Sequence, residues 1–166
     1  MQHVLAAAQR SGLNTDSINT DDLRLPLCDA SDPSEHVLSL RERVANAAAL
    51  VLVTPEYCGT LSAVIKNLIE WLGHGGLHGH IAAVVSVAAG NSADGSLHAL
   101  RHLCLQQGMW VVPITAAVPF AERVFDQRDD PFSAMVLSHL DELGATLSEA
   151  TQRLVRGDAK ETENAA

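Results

Sequence analysis

The chain has 166 residues, enough for one domain with a sizeable core. Apolar residues make up 47% of it and aromatics only 4%, so the core must be built from Val, Leu, Ile and Ala. A formal charge of −9 argues against nucleic acid and anionic membrane surfaces, and no apolar run approaches the length of a membrane span.

In chain order, Gln2 to Arg10 reads as a helix with Val4, Leu5 and Ala8 on one side and Gly12 as the residue after its cap. Val4 to Ala8 is too short for a signal-peptide core, and Arg10 follows it. Leu13 to Asn19 is polar. Leu23 to Asp29 is an extended connection in which Pro26 limits pairing. At Asp32-Pro33-Ser34-Glu35 a helix begins, with Asp32 as cap, Pro33 at the first helical position and Glu35 completing a capping box. Val37, Leu40, Val44 and Ala47 supply its buried stripe.

Leu50 to Val53 is continuous, apolar and β-branched, typical of a strand buried on both faces. Pro55 is expected to end its pairing, Glu56 to Gly59 to form a tight polar loop, and Thr60 to cap the next helix. Leu61, Val64, Ile65, Leu68, Ile69 and Leu72 then recur at helical spacing. Strand, loop and helix make half of a β-α-β unit, and in an open parallel sheet ligands sit outside the carboxyl ends of strands, where Pro55 to Thr60 lies. Trp71 falls off the apolar stripe, which predicts an exposed ring at a subunit contact or one tucked under the following loop.

The Gly-rich run Gly73 to His80 carries His74, His78 and His80. It reads as a polar turn; a metal site is the alternative, though its glycines leave nothing to fix the ligands. Ile81 to Val87 is the next buried strand, leaving through Ala88-Ala89-Gly90. Asp94 or Ser96 caps a helix with Leu97, Leu100, Leu103 and Cys104 inward, ending at Gly108. Met109 to Val118 is a last strand interrupted at Pro113, hence an edge. Pro119 to Asp129 reads as a loop. Asp130-Pro131 opens a final helix with Phe132, Met135, Val136, Leu140, Leu143 and Leu147 along one side, closed by Gly157. The domain spans 1–156, and 157–166 is an expected disordered tail. Cys28, Cys58 and Cys104 are odd in number and widely spaced, as for reduced thiols in a cytoplasmic protein.

Thr54-Pro55-Glu56-Tyr57-Cys58-Gly59-Thr60, followed by Lys66-Asn67-Leu68-Ile69-Glu70-Trp71, resembles the NADPH-dependent FMN reductase family. Leu25 to Asp29, Leu97 to Leu103 and Trp110 to Pro113 are similar to family segments in the same order. The resemblance implies a three-layer, flavodoxin-like open parallel sheet, with Leu13 to Asn19 as its second strand. It also implies that Thr54, Pro55, Glu56, Tyr57, Cys58, Gly59 and Thr60, with Ala88, Ala89 and Gly90, border FMN. NADPH or NADH would be the hydride donor and a small molecule the acceptor: free flavin, a quinone, an azo dye or a metal oxyanion. No side chain is assigned as general acid or base. A homodimer or homotetramer through the Leu61–Leu72 helix is also implied.

Cys58 stands where family members usually carry Asn or His. Tyr57 also reads as a packing aromatic, Glu56 as an acceptor for backbone amides, and Cys58 as either a reactive thiol or a tolerated small residue. Family members begin earlier, with a central strand and a Gly-Ser-x-Arg-type loop that cradles the FMN phosphate. Residues 1–166 start inside the first helix. At roughly 1.5–3 kcal/mol for each charge-assisted hydrogen bond, losing two or three costs on the order of 3–8 kcal/mol of binding. Two readings stand side by side: a shortened complete reductase, or a non-catalytic flavodoxin-like interaction module that binds FMN weakly or not at all.

Overall fold

A computed structural model describes residues 1–29, 33–73 and 76–164. Among the described residues there are five strands: β1 (Ala49–Tyr57), β2 (Thr60–Leu61), β3 (Ile81–Val87), β4 (Trp110–Val111) and β5 (Ala116–Val118). β1 and β3 pair in parallel from Ala49↔Ile81 to Pro55↔Val87. β4 and β5 both pair with β3 in parallel, as two pieces of one edge strand broken at Pro113. The alternation of β3 divides the core. Ala82 and Val84 join Leu52, Leu68, Leu100 and Met109 on one face, while Ala83 and Val85 join Val4, Val118, Leu140 and Leu143 on the other.

Helices α3 (Glu35–Ala45), α4 (Ala63–Leu72) and α5 (Asp94–Gln106) cover the first face. Helices α1 (Gln2–Arg10), α6 (Ala121–Asp126) and α7 (Pro131–Asn164) cover the second, and α2 (Thr20–Leu23) is one short turn. The result is the three-layer open sheet expected from the sequence. α1 and α7 run alongside each other, Val4 to Ala8 opposite Gly144 and Ser11 opposite Ser148. A Cβ on Gly144 would stand 2.4 Å from the Val4 carbonyl oxygen, so only glycine admits this approach.

Several expectations are corrected. Leu13 to Asn19 forms no strand; it is polar, and no strand among the described residues lies beside it to share a ladder. α3 is capped by Ser34, whose Oγ accepts the Val37 N–H at 3.4 Å, so Pro33 precedes the helix; Asp32 lies outside the described residues. Trp71 is buried at 3% exposure because Leu25 to Asp29 lies over it. Its Nε1–H and the Asn67 side-chain amide both donate to the Pro26 carbonyl, at 2.7 and 2.9 Å. Pro119 to Asp129 contains α6, not a continuous loop. α5 begins without a side-chain cap from Asp94, and Ser96 is engaged elsewhere. Met135 is 61% exposed although it follows the apolar spacing of α7.

The backbone of α7 continues through Gly157 to Asn164, because one glycine costs a helix only about 1 kcal/mol and Ala, Lys and Glu favour its continuation. Residues 165 and 166 lie outside the described residues.

Candidate functional site at the carboxyl rim of the sheet

The expected polar loop after β1 is a β-hairpin. Pro55 stays in the parallel ladder opposite Val87, and Glu56 and Tyr57 then pair antiparallel with Leu61 and Thr60. Only Cys58 and Gly59 remain in the turn, both at positive φ (53° and 74°). Two consecutive left-handed residues define the type I′ turn that matches strand twist, for which Asn-Gly is the favoured pair. Cys58 therefore holds a conformation that costs an ordinary side chain about 1–2 kcal/mol.

Thr60 belongs to β2 and caps nothing; the cap of α4 is Ser62, whose Oγ accepts the Ile65 N–H at 3.4 Å. Thr54 makes that start possible. It is fully buried, its hydroxyl accepts the Ser62 N–H at 3.1 Å and donates to the Pro55 carbonyl at 3.0 Å. Thr54 thus joins the end of the parallel ladder to the head of α4, with no side-chain group left to offer a ligand.

Glu56 turns away from the rim's outer surface and onto α5. Its Oε2 accepts the Ser96 backbone N–H at 2.9 Å and the Ser96 hydroxyl at 3.0 Å. Ser96 is buried and also hydrogen-bonded to Ser86 of β3. A carboxylate at this end of α5 satisfies an orphan amide and complements the positive end of the helix dipole. The clamp is tight: a Cβ on Gly95 would come within 2.2 Å of the Gly59 carbonyl oxygen. Nothing in the sequence joins Glu56 to Ser96, forty positions apart.

The second rim segment, Ala88-Ala89-Gly90, is held by the chain after β5. The Ala88 N–H donates to the Val118 carbonyl at 2.9 Å, the Phe120 N–H to the Gly90 carbonyl at 2.8 Å, and the Ala121 N–H to the Ala88 carbonyl at 3.0 Å. Phe120 sits at φ +50, a left-handed conformation rare for a bulky residue, and packs edge-on to Phe132 at 6.3 Å between ring centroids. Sequence reasoning missed this residue.

Of the expected site residues, Thr54 and Ala88 are buried, Pro55 and Glu56 half-buried, and Tyr57, Cys58, Gly59, Thr60, Ala89 and Gly90 exposed. The Tyr57 ring is 64% exposed, and open space lies beyond the α-carbons of Gly59 and Gly90. The rim is a shelf; a cavity of about 630 Å³ lies elsewhere, beside Ala49–Val53, with no residue of Pro55–Thr60 or Ala88–Gly90 lining it. The geometry fits the ring end of a planar heterocycle: an exposed aromatic, a tip of positive-φ backbone whose N–H groups lie outside the ladder, and a glycine with room above it. No Gly-Ser loop that would hold a phosphate stands ahead of α1 in residues 1–166.

The histidines do not converge. His80 Nε2 bonds the Val44 carbonyl at 3.0 Å, His78 is exposed beside Gly108, and His74 lies outside the described residues. Among the described residues no three His, Cys, Asp or Glu side chains gather closely enough to hold a metal.

A parallel three-layer α/β sheet whose candidate site is formed by loops at its carboxyl edge defines the flavodoxin-like class. The chain belongs to the NADPH-dependent FMN reductase family, whose model matches residues 1–123. It is 30% identical over 108 residues to a 2-hydroxy-1,4-benzoquinone reductase from a Burkholderia species, a match covering 62% of this chain and 58% of that protein. It is 32% identical over 69 residues to the NADH:(hydroxy)cinnamate reductase subunit CrdA of Vibrio ruber, covering 42% of this chain and 34% of the relative. The chain thus spans between a third and three-fifths of the length of these curated relatives. Among solved structures, an oxidoreductase from Corynebacterium diphtheriae superposes with a TM-score of 0.74 at 18% identity, over 92% of this chain and 84% of that one. The NAD(P)H:(acceptor) oxidoreductase FerB of Paracoccus denitrificans does so with a TM-score of 0.66 at 23% identity, over 89% of each chain. No helix among the described residues is long and apolar enough to cross a membrane.

Proposed function

We propose that this protein is a FMN-dependent NAD(P)H oxidoreductase that passes electrons to a small acceptor. The observation that supports it best is the type I′ hairpin, presented open at the carboxyl rim beside Gly90 and fixed from behind by Glu56. FMN, when bound, supplies the hydride chemistry between nicotinamide and acceptor. The chain's part is to hold and orient. The backbone of Tyr57 to Thr60 and of Ala89-Gly90 borders the ring, Tyr57 shields it from water, and the tip N–H groups favour negative charge on it. Thr54, Ser62, Glu56 and Ser96 keep that backbone in place and touch no ligand. The quinone and cinnamate reductases among its relatives point to conjugated carbonyl compounds as the acceptor class. We further propose a homo-oligomer in the cytoplasm, joined at the surface where Tyr57 and Val64 are exposed; buried Trp71 no longer argues for it.

The second reading is a flavodoxin-like interaction module that binds FMN weakly or not at all. Titrating the purified chain with FMN separates the two. Saturable binding with FMN-dependent NADPH oxidation supports the reductase. A folded, colourless protein indifferent to millimolar FMN supports the module.

A further inference from the structure

Phe120 holds a backbone conformation that a bulky side chain rarely accepts, with φ 50° and ψ 49°. Glycine or asparagine would sit there with less strain. Nor does the core call for a phenylalanine, since the ring is 41% exposed and meets Phe132 only edge-on. Its surroundings nevertheless hold it firmly. The Phe120 N–H donates to the Gly90 carbonyl at 2.8 Å, and its own carbonyl accepts the Val124 N–H at 3.0 Å. Arg123 lies over the Phe132 ring at 5.2 Å and pairs with Asp130 at 2.9 Å. The Ser133 hydroxyl donates to the Arg123 carbonyl at 3.2 Å, so α6 and the head of α7 are locked together beside the ring. Strain that neighbouring structure maintains at an exposed rim marks a residue placed for a ligand.

The strand register shows what stands opposite. Pro55, Val87 and Val118 form one row across β1, β3 and β5. Tyr57 and Phe120 each lie two residues beyond that row, and an even step returns a side chain to the same face of a sheet. Glu56, one residue before Tyr57, turns to α5 on the other face, whereas Phe120 meets Phe132 of α7. Both exposed rings therefore project on the α7 side of the rim, with Ala89 and Gly90 as the floor between them. Two inter-strand spacings, roughly 10 Å, separate their backbones. Two flat rings stacked between them need three contacts of about 3.5 Å, roughly 10–11 Å in all. A molecule thicker than a flat ring does not fit beside the first.

We propose that Phe120 is a specificity-determining residue: the wall against which a flat, conjugated acceptor stacks when the flavin ring lies between that acceptor and Tyr57. The inference rests on the reductase reading and adds to it the residue that selects the acceptor's shape.

The parent, Phe120→Leu and Phe120→Trp are compared with NADPH and saturating FMN on two acceptors: menadione, which is flat, and ferricyanide, which is not. One menadione takes up two electrons and two protons to give the hydroquinone; two ferricyanide ions take the same two electrons. In a ping-pong cycle kcat/KM for an acceptor reports only the oxidising half, so the menadione-to-ferricyanide ratio isolates the acceptor step. Leucine keeps the apolar bulk and removes the flat face, so this ratio should fall about fivefold or more. Menadione binding to the FMN-loaded protein without NADPH, read by equilibrium dialysis, should weaken by a similar factor. Tryptophan should keep both within about twofold of the parent. Phe120→Gly and Phe120→Ala read the strain: both lose the ring and only glycine relaxes the backbone, so Gly should melt about 2–4 °C above Ala. If either of these fails to fold, the leucine variant decides. An unchanged ratio in Phe120→Leu, or a Gly variant that melts below the Ala variant, overturns the proposal and leaves Phe120 as packing for α6. A parent that binds no FMN and oxidises no NADPH refutes the reductase reading itself, and the wall falls with it.

Discussion

Removing the Glu56 carboxylate tests the clamp between the hairpin and α5. In Glu56→Ala, the Ser96 N–H and hydroxyl lose a charged acceptor at 2.9 and 3.0 Å. Two charge-assisted hydrogen bonds would amount to about 3–6 kcal/mol if the site were sealed. Glu56 is half-exposed, so water replaces much of what is lost, and Ser86 still engages the Ser96 hydroxyl. The expected loss is therefore about 1–3 kcal/mol, including a few tenths from the α5 dipole. Glu56→Gln keeps an acceptor within reach and forgoes only the charge, so it should lose less than about 1 kcal/mol. Urea unfolding of the three proteins measures this, and FMN titration should show the Ala variant binding at least fivefold more weakly than the Gln variant. If Glu56→Ala unfolds within 0.3 kcal/mol of the parent, or Gln costs as much as Ala, the clamp is not what holds the rim. That outcome would leave the hairpin fixed by its own turn and by Thr54 alone.

Other expectations follow from the same geometry. Cys58→Asn, which places a residue suited to left-handed backbone in the type I′ turn, should stabilise the protein by about 0.5–1 kcal/mol and raise Tm by roughly 1–4 °C in scanning calorimetry. Gly95→Ala should destabilise by about 1–3 kcal/mol, since its methyl meets a backbone oxygen that cannot swing aside, and urea unfolding reads the loss. Burial pushes the Cys104 thiol up to about 12. Iodoacetamide at pH 8 should therefore label exposed Cys58 and spare Cys104 until the chain unfolds, as mass spectrometry will show. The same shift fixes a sign: the unfolded thiol ionises first, so this contribution to stability is intact below about pH 9 and declines between there and about 12. Asp130, held below the usual carboxylate range by hydrogen bonds from Arg123, acts oppositely. Its contribution is present at neutral pH and lost as pH falls through its lowered pKa, so the Tm gap between the parent and Asp130→Asn should close in acid.

Much of this architecture was legible because periodicity and β-branching are local. Ile81 to Val87 is a strand with the expected limits, and the stripes of α3, α4 and α5 are buried largely as their spacing requires. What failed was whatever a distant segment decides. Trp71 looks stranded on its helix until Pro26, forty-five positions earlier, arrives to accept its indole N–H. The turn after β1 shows a Gly but not the ideal Asn before it, so a hairpin hides behind the Pro55 break. Ser96 resembles a helix cap in sequence, yet its hydroxyl and amide both answer to Glu56. Leu13 to Asn19 had the place of a strand without the partner that makes one, since pairing is a property of two segments.

At the opposite margin of the sheet, the interruption between β4 and β5 leaves ladder pieces no longer than Ala116–Val118, parted by a residue with no N–H to give. Two molecules meeting there find too little continuous backbone to knit together. Association through this margin therefore does not propagate from molecule to molecule into a fibre.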